Sequence, residues 1–135
     1  MAETQLDDIR SLVERPSRYL GTEINALKKG HDAVKLRCAL AFPDLYDIGT
    51  SHLGMQILYH ILNRQPDVAA ERVFMPGLDL ADRLRREGMP LFSLESGTPL
   101  KKFDLIGFSL LYELNYTNVL AMLDLAGIAF RADQR

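Results

Sequence analysis

Two polar segments of this sequence carry the side chains best suited to hold a ligand. They are residues 43–54, PDLYDIGTSHLG, and residues 110–118, LLYELNYTN. Both combine carboxylates, hydroxyls and aromatic rings, and both are longer than the roughly 2 to 6 residues that a strand-to-helix connection usually takes. Each residue taken alone fits a turn or a helix cap equally well. The combined length favours a binding role.

The candidate binding residues share a polar group, a small side chain or a place beside a predicted helix start. They are Asp47, Gly49, Thr50, Ser51, His52, Gly54, Tyr112 and Glu113. His52 is the histidine best placed to meet a ligand, and a simple helix cap is its competing interpretation. His31 lies in a polar loop, and His60 is predicted on the surface of the same helix. Eight helical residues separate His52 from His60 by about 12 Å, so one metal ion cannot bind both.

Phosphate-binding motifs are missing from the first segment. Its glycines Gly49 and Gly54 have Gly-x-x-x-x-Gly spacing but lack the Lys-Ser/Thr ending, and no Gly-x-Gly-x-x-Gly occurs. A helix start carrying Thr50 and Ser51 could still hold the phosphate of a flavin mononucleotide. The aspartates nearby weigh against an anion.

Strand and helix patterns alternate along the chain. Apolar runs predict strands at residues 34–42, 71–75, 90–94 and 104–111, and periodic stretches predict helices at 5–14, 51–63, 78–87 and 116–126. Ser51 is the expected cap of the second helix, whose inward stripe is predicted to be Leu53, Ile57, Leu58, Ile61 and Leu62. Residues 18–31 are predicted as a loop or short hairpin. The alternation favours an α/β, Rossmann-like three-layer fold with a mostly parallel sheet.

The expected strand order is third, second, first, fourth. The order reverses between the first and fourth strands, where ligands of such sheets bind, and the two polar segments meet there. We expect residues 1–33 to form a leading helix and covering loop, and residues 34–135 to form the sheet domain. Eight residues follow Gly127 without a clear return strand, so the domain is expected to continue past Arg135.

Composition narrows the class of protein. With 135 residues, 47% of them hydrophobic, and a formal charge of -2, the chain suits one globular domain and has no basic patch for nucleic acid. No apolar run is long enough for a membrane span, and the acidic start does not resemble a secretory signal. A location in the cytoplasm is expected. The single cysteine, Cys38, excludes an intramolecular disulfide and a cysteine-based metal cluster.

The run at residues 42–60, FPDLYDIGTSHLGMQILYH, resembles a signature near the start of a family of bacterial radical S-adenosylmethionine proteins. The runs PLFSLES, DLIGFSL, YEL and YTNVL continue the resemblance in the same order. In that family a cobalamin-binding-like domain precedes the catalytic domain. The resemblance therefore implies a flavodoxin-like or cobalamin-domain-like fold, cobalamin as cofactor, and a downstream radical S-adenosylmethionine domain of the same polypeptide as partner.

The cobalamin motif Asp-x-His-x-x-Gly is matched only in part, as Thr50-x-His52-x-Gly54. The motif Ser-x-Leu is matched by Ser109 and Leu111, so the resemblance implies that these two residues also bind the cofactor. The radical motif Cys-x-x-x-Cys-x-x-Cys cannot form, so the resemblance assigns the iron-sulfur cluster and S-adenosylmethionine to the downstream domain. The chain alone is expected to catalyse nothing. The alternative functions are a scaffold or substrate-recognition domain that has lost its cofactor and, as a weaker option, a flavodoxin-like flavin carrier.

Overall fold

Three parallel strands form one open sheet in the order β2-β1-β3. They are β1 (Leu36–Phe42), β2 (Val68–Phe74) and β3 (Leu105–Phe108). The computed structural model describes the backbone of residues 2–135 and the side chains from residue 4 onward. Because β1 lies between the other two strands, the predicted reversal of strand order between the first and the last strand is confirmed.

Helices cover both faces of the sheet. They are α1 (Ala2–Ser11), α2 (Tyr46–Gly49), α3 (Leu53–Arg64), α4 (Leu78–Glu87) and α5 (Asn115–Ala126). Helices α1, α4 and α5 enclose one core with Ala39 and Ala41 of β1, whereas α3 encloses a second core with Cys38 and Leu40 on the opposite face. The three-layer α/β prediction is therefore confirmed. Within residues 2–135, none of the helices is long and apolar enough to cross a bilayer.

The predicted third strand, at residues 90–94, is wrong. This segment makes only an isolated antiparallel bridge between Phe92 and Pro99, and it turns back on itself through a bond from Ser93 N–H to Thr98 O of 2.9 Å. It does lie where the third strand was expected, since Leu94 N–H donates to a carbonyl of β2 at 2.8 Å. One main-chain bond does not make a strand. The last predicted strand is also shorter than expected, because β3 ends at Phe108.

The apolar stripe predicted to face inward on α3 lies mostly outside. Its exposed members are Leu53, Ile57, Leu58 and Ile61, between 48% and 66% exposed. The residues that face the sheet are Met55, Tyr59 and Asn63, with Leu62 half-buried beside them. The orientation differs because two polar groups of this face, the Tyr59 hydroxyl and the Asn63 amide, have main-chain partners beneath the helix.

Residues 12–33, here called the strap, wrap the domain without forming the hairpin considered from the sequence. The leading helix ends at Ser11 instead of Glu14, and the strap contains short 3-10 turns at Pro16–Tyr19 and His31–Ala33. Gly21 has a φ of 59°, and a Cβ atom there would lie 2.2 Å from the carbonyl oxygen of Leu94. The strap therefore packs directly on the segment that follows α4.

Candidate functional site

The two polar segments singled out from the sequence do meet, at the carboxyl ends of β1 and β3. The Tyr112 hydroxyl donates to Asp44 Oδ2 at 3.0 Å, and Asn118 Nδ2 donates to the carbonyl of Pro43 at 2.9 Å. The bond to the Asp44 carboxylate raises the pKa of Tyr112, because ionising the phenol would place two negative charges side by side. Topology brings these loops together, as expected for a switch point.

Small and hydroxylic residues of the first segment are engaged in local structure. A Cβ atom on Gly49 would lie 2.5 Å from Phe74 Cε1 and 2.8 Å from Phe42 Cδ1, so this glycine makes room for two core rings. Thr50 N–H donates to Tyr46 O at 3.0 Å at the end of α2. Ser51 Oγ donates back to Ile48 O at 3.0 Å, so the prediction that Ser51 caps α3 is wrong.

His52 is the residue that caps α3. Its Nδ1 accepts the Met55 N–H at 3.2 Å, and its ring centroid lies 5.4 Å from that of Phe42. A Cβ atom on Gly54 would lie 3.0 Å from His52 Cε1, so the glycine lets the ring fold over the helix start. Since Nδ1 accepts a hydrogen bond, the pattern assigns the ring proton of neutral His52 to Nε2. Neither nitrogen then presents a free lone pair to a metal.

The second segment forms an exposed rim. Ser109 N–H donates to Ala41 O at 3.0 Å, which prolongs the contact between β1 and β3 past the end of the strand. Leu111 is 50% exposed, Tyr112 is 42% exposed, and Glu113 is also exposed. These side chains are accessible to whatever approaches the carboxyl edge of the sheet.

A cavity of about 570 Å³ opens at this edge, between the strap and the starts of α4 and α5. Its charged and polar lining includes Glu14, Arg18, Asp44, Asp79 and Asn118. The Glu14 N–H donates to Asp79 Oδ2 at 2.8 Å, and this bond is the main reason that the pKa of Asp79 is lowered. Three carboxylates against one guanidinium make the cavity acidic. It suits ligands rich in hydrogen-bond donors and disfavours phosphate.

The strap ties itself to the first segment through charged groups. Arg18 pairs with Asp47, and the Tyr46 hydroxyl donates to Glu23. Burial, followed by the bond to Glu23, raises the pKa of Tyr46 to about 12. Asp47, a candidate ligand-binding residue, is thus half of an ion pair with the strap. Sequence reasoning missed Glu23 and Arg18, because their partners are distant in the chain.

A buried guanidinium also lies beneath the strap. Arg72, which is 7% exposed, donates from Nε to Glu95 Oε1 and from Nη1 to Glu23 Oε2, both at 2.7 Å. Its Cζ lies 4.9 Å from the centre of the Tyr59 ring. Burial alone would lower the pKa of Arg72, but the two carboxylates outweigh it and the pKa is raised. Arg72 is therefore held charged inside the domain, where it fixes the strap.

Glu71, on the opposite face of β2, is a second buried charge that the sequence reasoning overlooked. Its carboxylate contacts His31 Nε2 at 2.7 Å and accepts from the hydroxyls of Ser93 at 2.5 Å and Ser96 at 2.6 Å. The interpretation of His31 as a residue of a polar loop is therefore incomplete, whereas His60 is exposed as predicted. The signal in the sequence that could have revealed these buried charges is the adjacent pair Glu71 and Arg72 inside an apolar strand pattern. No group of three His, Cys, Asp or Glu among residues 2–135 could hold a metal ion.

Comparison with known proteins gives one match. The model of the family described as radical SAM proteins, N-terminal, matches residues 54–135, which run from the first turn of α3 through α5. Neither the curated proteins nor the solved structures yield a match to this chain. The matched part covers more than half of the sequence and includes β2, β3 and the rim. The chain therefore belongs to the family of N-terminal domains of radical S-adenosylmethionine proteins.

Proposed function

We propose that this domain holds cobalamin at the carboxyl edge of its sheet, while a downstream radical S-adenosylmethionine domain of the same polypeptide carries out the chemistry. The observation that carries the proposal is the junction of the two loops through Asp44 and Tyr112, beside a cavity of about 570 Å³. Carboxylate oxygens there can each accept more than one hydrogen bond. The amide groups around a corrin ring supply the matching donors.

Cobalt ligation by His52 does not fit the structure. Nδ1 of His52 accepts the Met55 N–H, so a neutral ring carries its proton on Nε2. A ligating histidine needs the reverse arrangement, with Nδ1–H donating to a partner and Nε2 free. The position two residues earlier, where that partner would stand, is Thr50, whose main chain ends α2. In our proposal the domain therefore binds and orients the cofactor through contacts with the periphery of the corrin ring.

Titration of hydroxocobalamin into the full-length radical S-adenosylmethionine protein tests this proposal. We expect the corrin to co-elute with the protein in gel filtration, and the absorption spectrum of the bound corrin to be the same in the wild-type protein and in a His52→Ala variant. An Asp44→Ala variant should bind more weakly. Its matched control is Asp67→Ala. Asp67 lies at the amino ends of the strands, away from the carboxyl ends where the cofactor is proposed to bind, and its carboxylate contacts the exposed Lys35. Corrin that does not co-elute with the protein at saturating ligand refutes cobalamin binding, and a spectrum of bound corrin that differs between His52→Ala and the wild-type protein refutes peripheral binding.

A second candidate function is substrate recognition by a domain without a cofactor. The local hydrogen bonds of Ser51 Oγ and His52 Nδ1 favour it, because these two atoms are then not available to a cofactor. Tyr112 and Glu113 would then form the recognition surface. Tyr112→Phe and Glu113→Gln should lower turnover of the full-length protein without changing its cofactor content. Full activity in both variants would exclude this function.

A further inference from the structure

The outer edge of β2 is closed by side chains. The pairing register with β1 turns the main-chain N–H and C=O groups of alternate residues of β2 outward. These residues include Val68, Ala70 and Arg72. Asn63 Nδ2 donates to Ala70 O at 2.9 Å, and Ala70 N–H donates to Asn63 Oδ1 at 3.0 Å. Lys29 Nζ donates to Val68 O at 2.7 Å. The Asn63 amide thus takes the place that a residue of a neighbouring strand would occupy.

The same edge is closed further along at Arg72. Its N–H donates to Glu95 Oε2 at 2.7 Å, and its carbonyl accepts the N–H of Leu94 at 2.8 Å. Val68 N–H also donates to Gln65 O, at 3.4 Å, so each outward-facing residue from Val68 to Arg72 has a partner for both its carbonyl and its N–H. Residues 68–72 of β2 therefore have no free main-chain groups with which a further strand could pair.

The outer edge of β3 is open. Ser109 N–H donates to Ala41 O at 3.0 Å, and Ala39 pairs with Ile106. The main-chain groups of Leu105 and Gly107 therefore point towards β1, and those of Ile106 and Phe108 point away from it. No group among residues 2–135 bonds to the main-chain N–H or C=O of Ile106 or Phe108. Leu105 is 54% exposed, and the strand sequence LIGF has neither the charge nor the proline that usually protects an edge.

The position of α5 shows on which side another strand would add. Helix α3 connects β1 to β2 over one face, whereas α4 connects β2 to β3 over the opposite face, as right-handed crossovers require. Helix α5 follows β3 and lies on the α4 face, in the same core. A right-handed crossover through α5 leads to a strand on the free side of β3, parallel to it.

We infer that the free edge of β3 binds a fourth parallel strand of the same polypeptide, contributed by sequence that follows α5. This inference rests on membership in the radical S-adenosylmethionine proteins and not on cobalamin. The incoming strand is apolar on both faces, because Ile106 and Phe108 join the α4 core on one side and Leu105 lies opposite them. The sheet is then extended only at the free edge of β3.

Amide hydrogen exchange in the full-length protein tests the inference. The amides of Ile106 and Phe108 should be protected to the same extent at every protein concentration. A Leu105→Lys variant, which places a charge in the new pairing, should lose this protection at Ile106 and Phe108. Ile24→Lys is the matched control, because Ile24 is fully exposed on the strap and should leave the protection unchanged.

Rapid exchange at both amides in the wild-type protein overturns the inference. Protection that disappears on dilution also overturns it, because the edge then pairs with a second copy. Protection retained in Leu105→Lys assigns the slow exchange to a different contact and has the same consequence. None of these results depends on the co-elution of corrin, so failure of cobalamin binding and failure of strand addition are distinguishable.

Discussion

Replacing Asn63 by alanine removes both bonds that its amide makes to the edge of β2. Asn63 is 7% exposed and Ala70 is 1% exposed, so the N–H and the carbonyl of Ala70 would be left buried without partners. An unsatisfied buried polar group costs about 1 to 3 kcal/mol. For two such groups we expect the free energy of unfolding to fall by about 2 to 5 kcal/mol, since some water enters the vacated space. Such a loss is a large part of the total stability of a small domain, about 5 to 15 kcal/mol.

Urea unfolding of the 135-residue chain, followed by circular dichroism, measures this loss. The midpoint should fall while the slope of free energy against urea stays constant, because the surface exposed on unfolding hardly changes. Asn25→Ala is the control: Asn25 is exposed on the strap, and its replacement should change the stability by less than about 0.5 kcal/mol. A loss below about 1 kcal/mol for Asn63→Ala would show that the amide does not stand in for a strand residue.

Two further predictions concern charge and packing. Hydrogen bonds from Arg37 lower the pKa of Asp104 from its usual 3.8 to about 2, so the folded state binds this proton less readily than the unfolded chain. The resulting stability is present above about pH 4 and is lost as the pH falls towards 2, and Asp104→Asn should flatten this decline in urea unfolding at several pH values. An equally steep decline in the variant would contradict the assignment. Gly49→Ala should lower the stability by about 1 to 3 kcal/mol, because the new methyl group overlaps the Phe74 ring. Gly30→Ala, with open space around it, should show no loss of melting temperature, and equal effects in both variants would refute the packing role.

The sequence was sufficient to predict the parallel sheet, the central position of β1 and the bounds of α4, which match the expected residues 78–87. These features depend on apolar runs, turn residues and the handedness of crossovers, all of which are local or general. The inward face of α3 was not predictable in the same way. Its outer stripe is richer in aliphatic residues than the face of Met55, Tyr59 and Asn63 that packs on the sheet. Only the contact with Ala70 shows why a polar Asn63 lies inside.

For the candidate site, the meeting of the two loops followed from the strand order alone. The division of roles within the first loop did not, because a serine and a histidine are both able to accept a hydrogen bond at a helix start. The contribution of the strap was missed altogether. Glu23 and Arg72 are 49 residues apart, and no local pattern links a carboxylate in a loop to a guanidinium in a buried strand.

The strap also has a consequence for the way the chain is made. Several of its partners are synthesised long after it: Glu71 follows His31 by 40 residues, and Asp79 follows Glu14 by 65. While α3 is being synthesised, the strap can already pair with Asp47, but Glu71, Arg72 and Asp79 have not yet been added to the chain. Contacts of this sequence separation form late, because the intervening chain must first be ordered. We therefore expect docking of the strap to be among the last steps in the folding of the domain, after the sheet has formed.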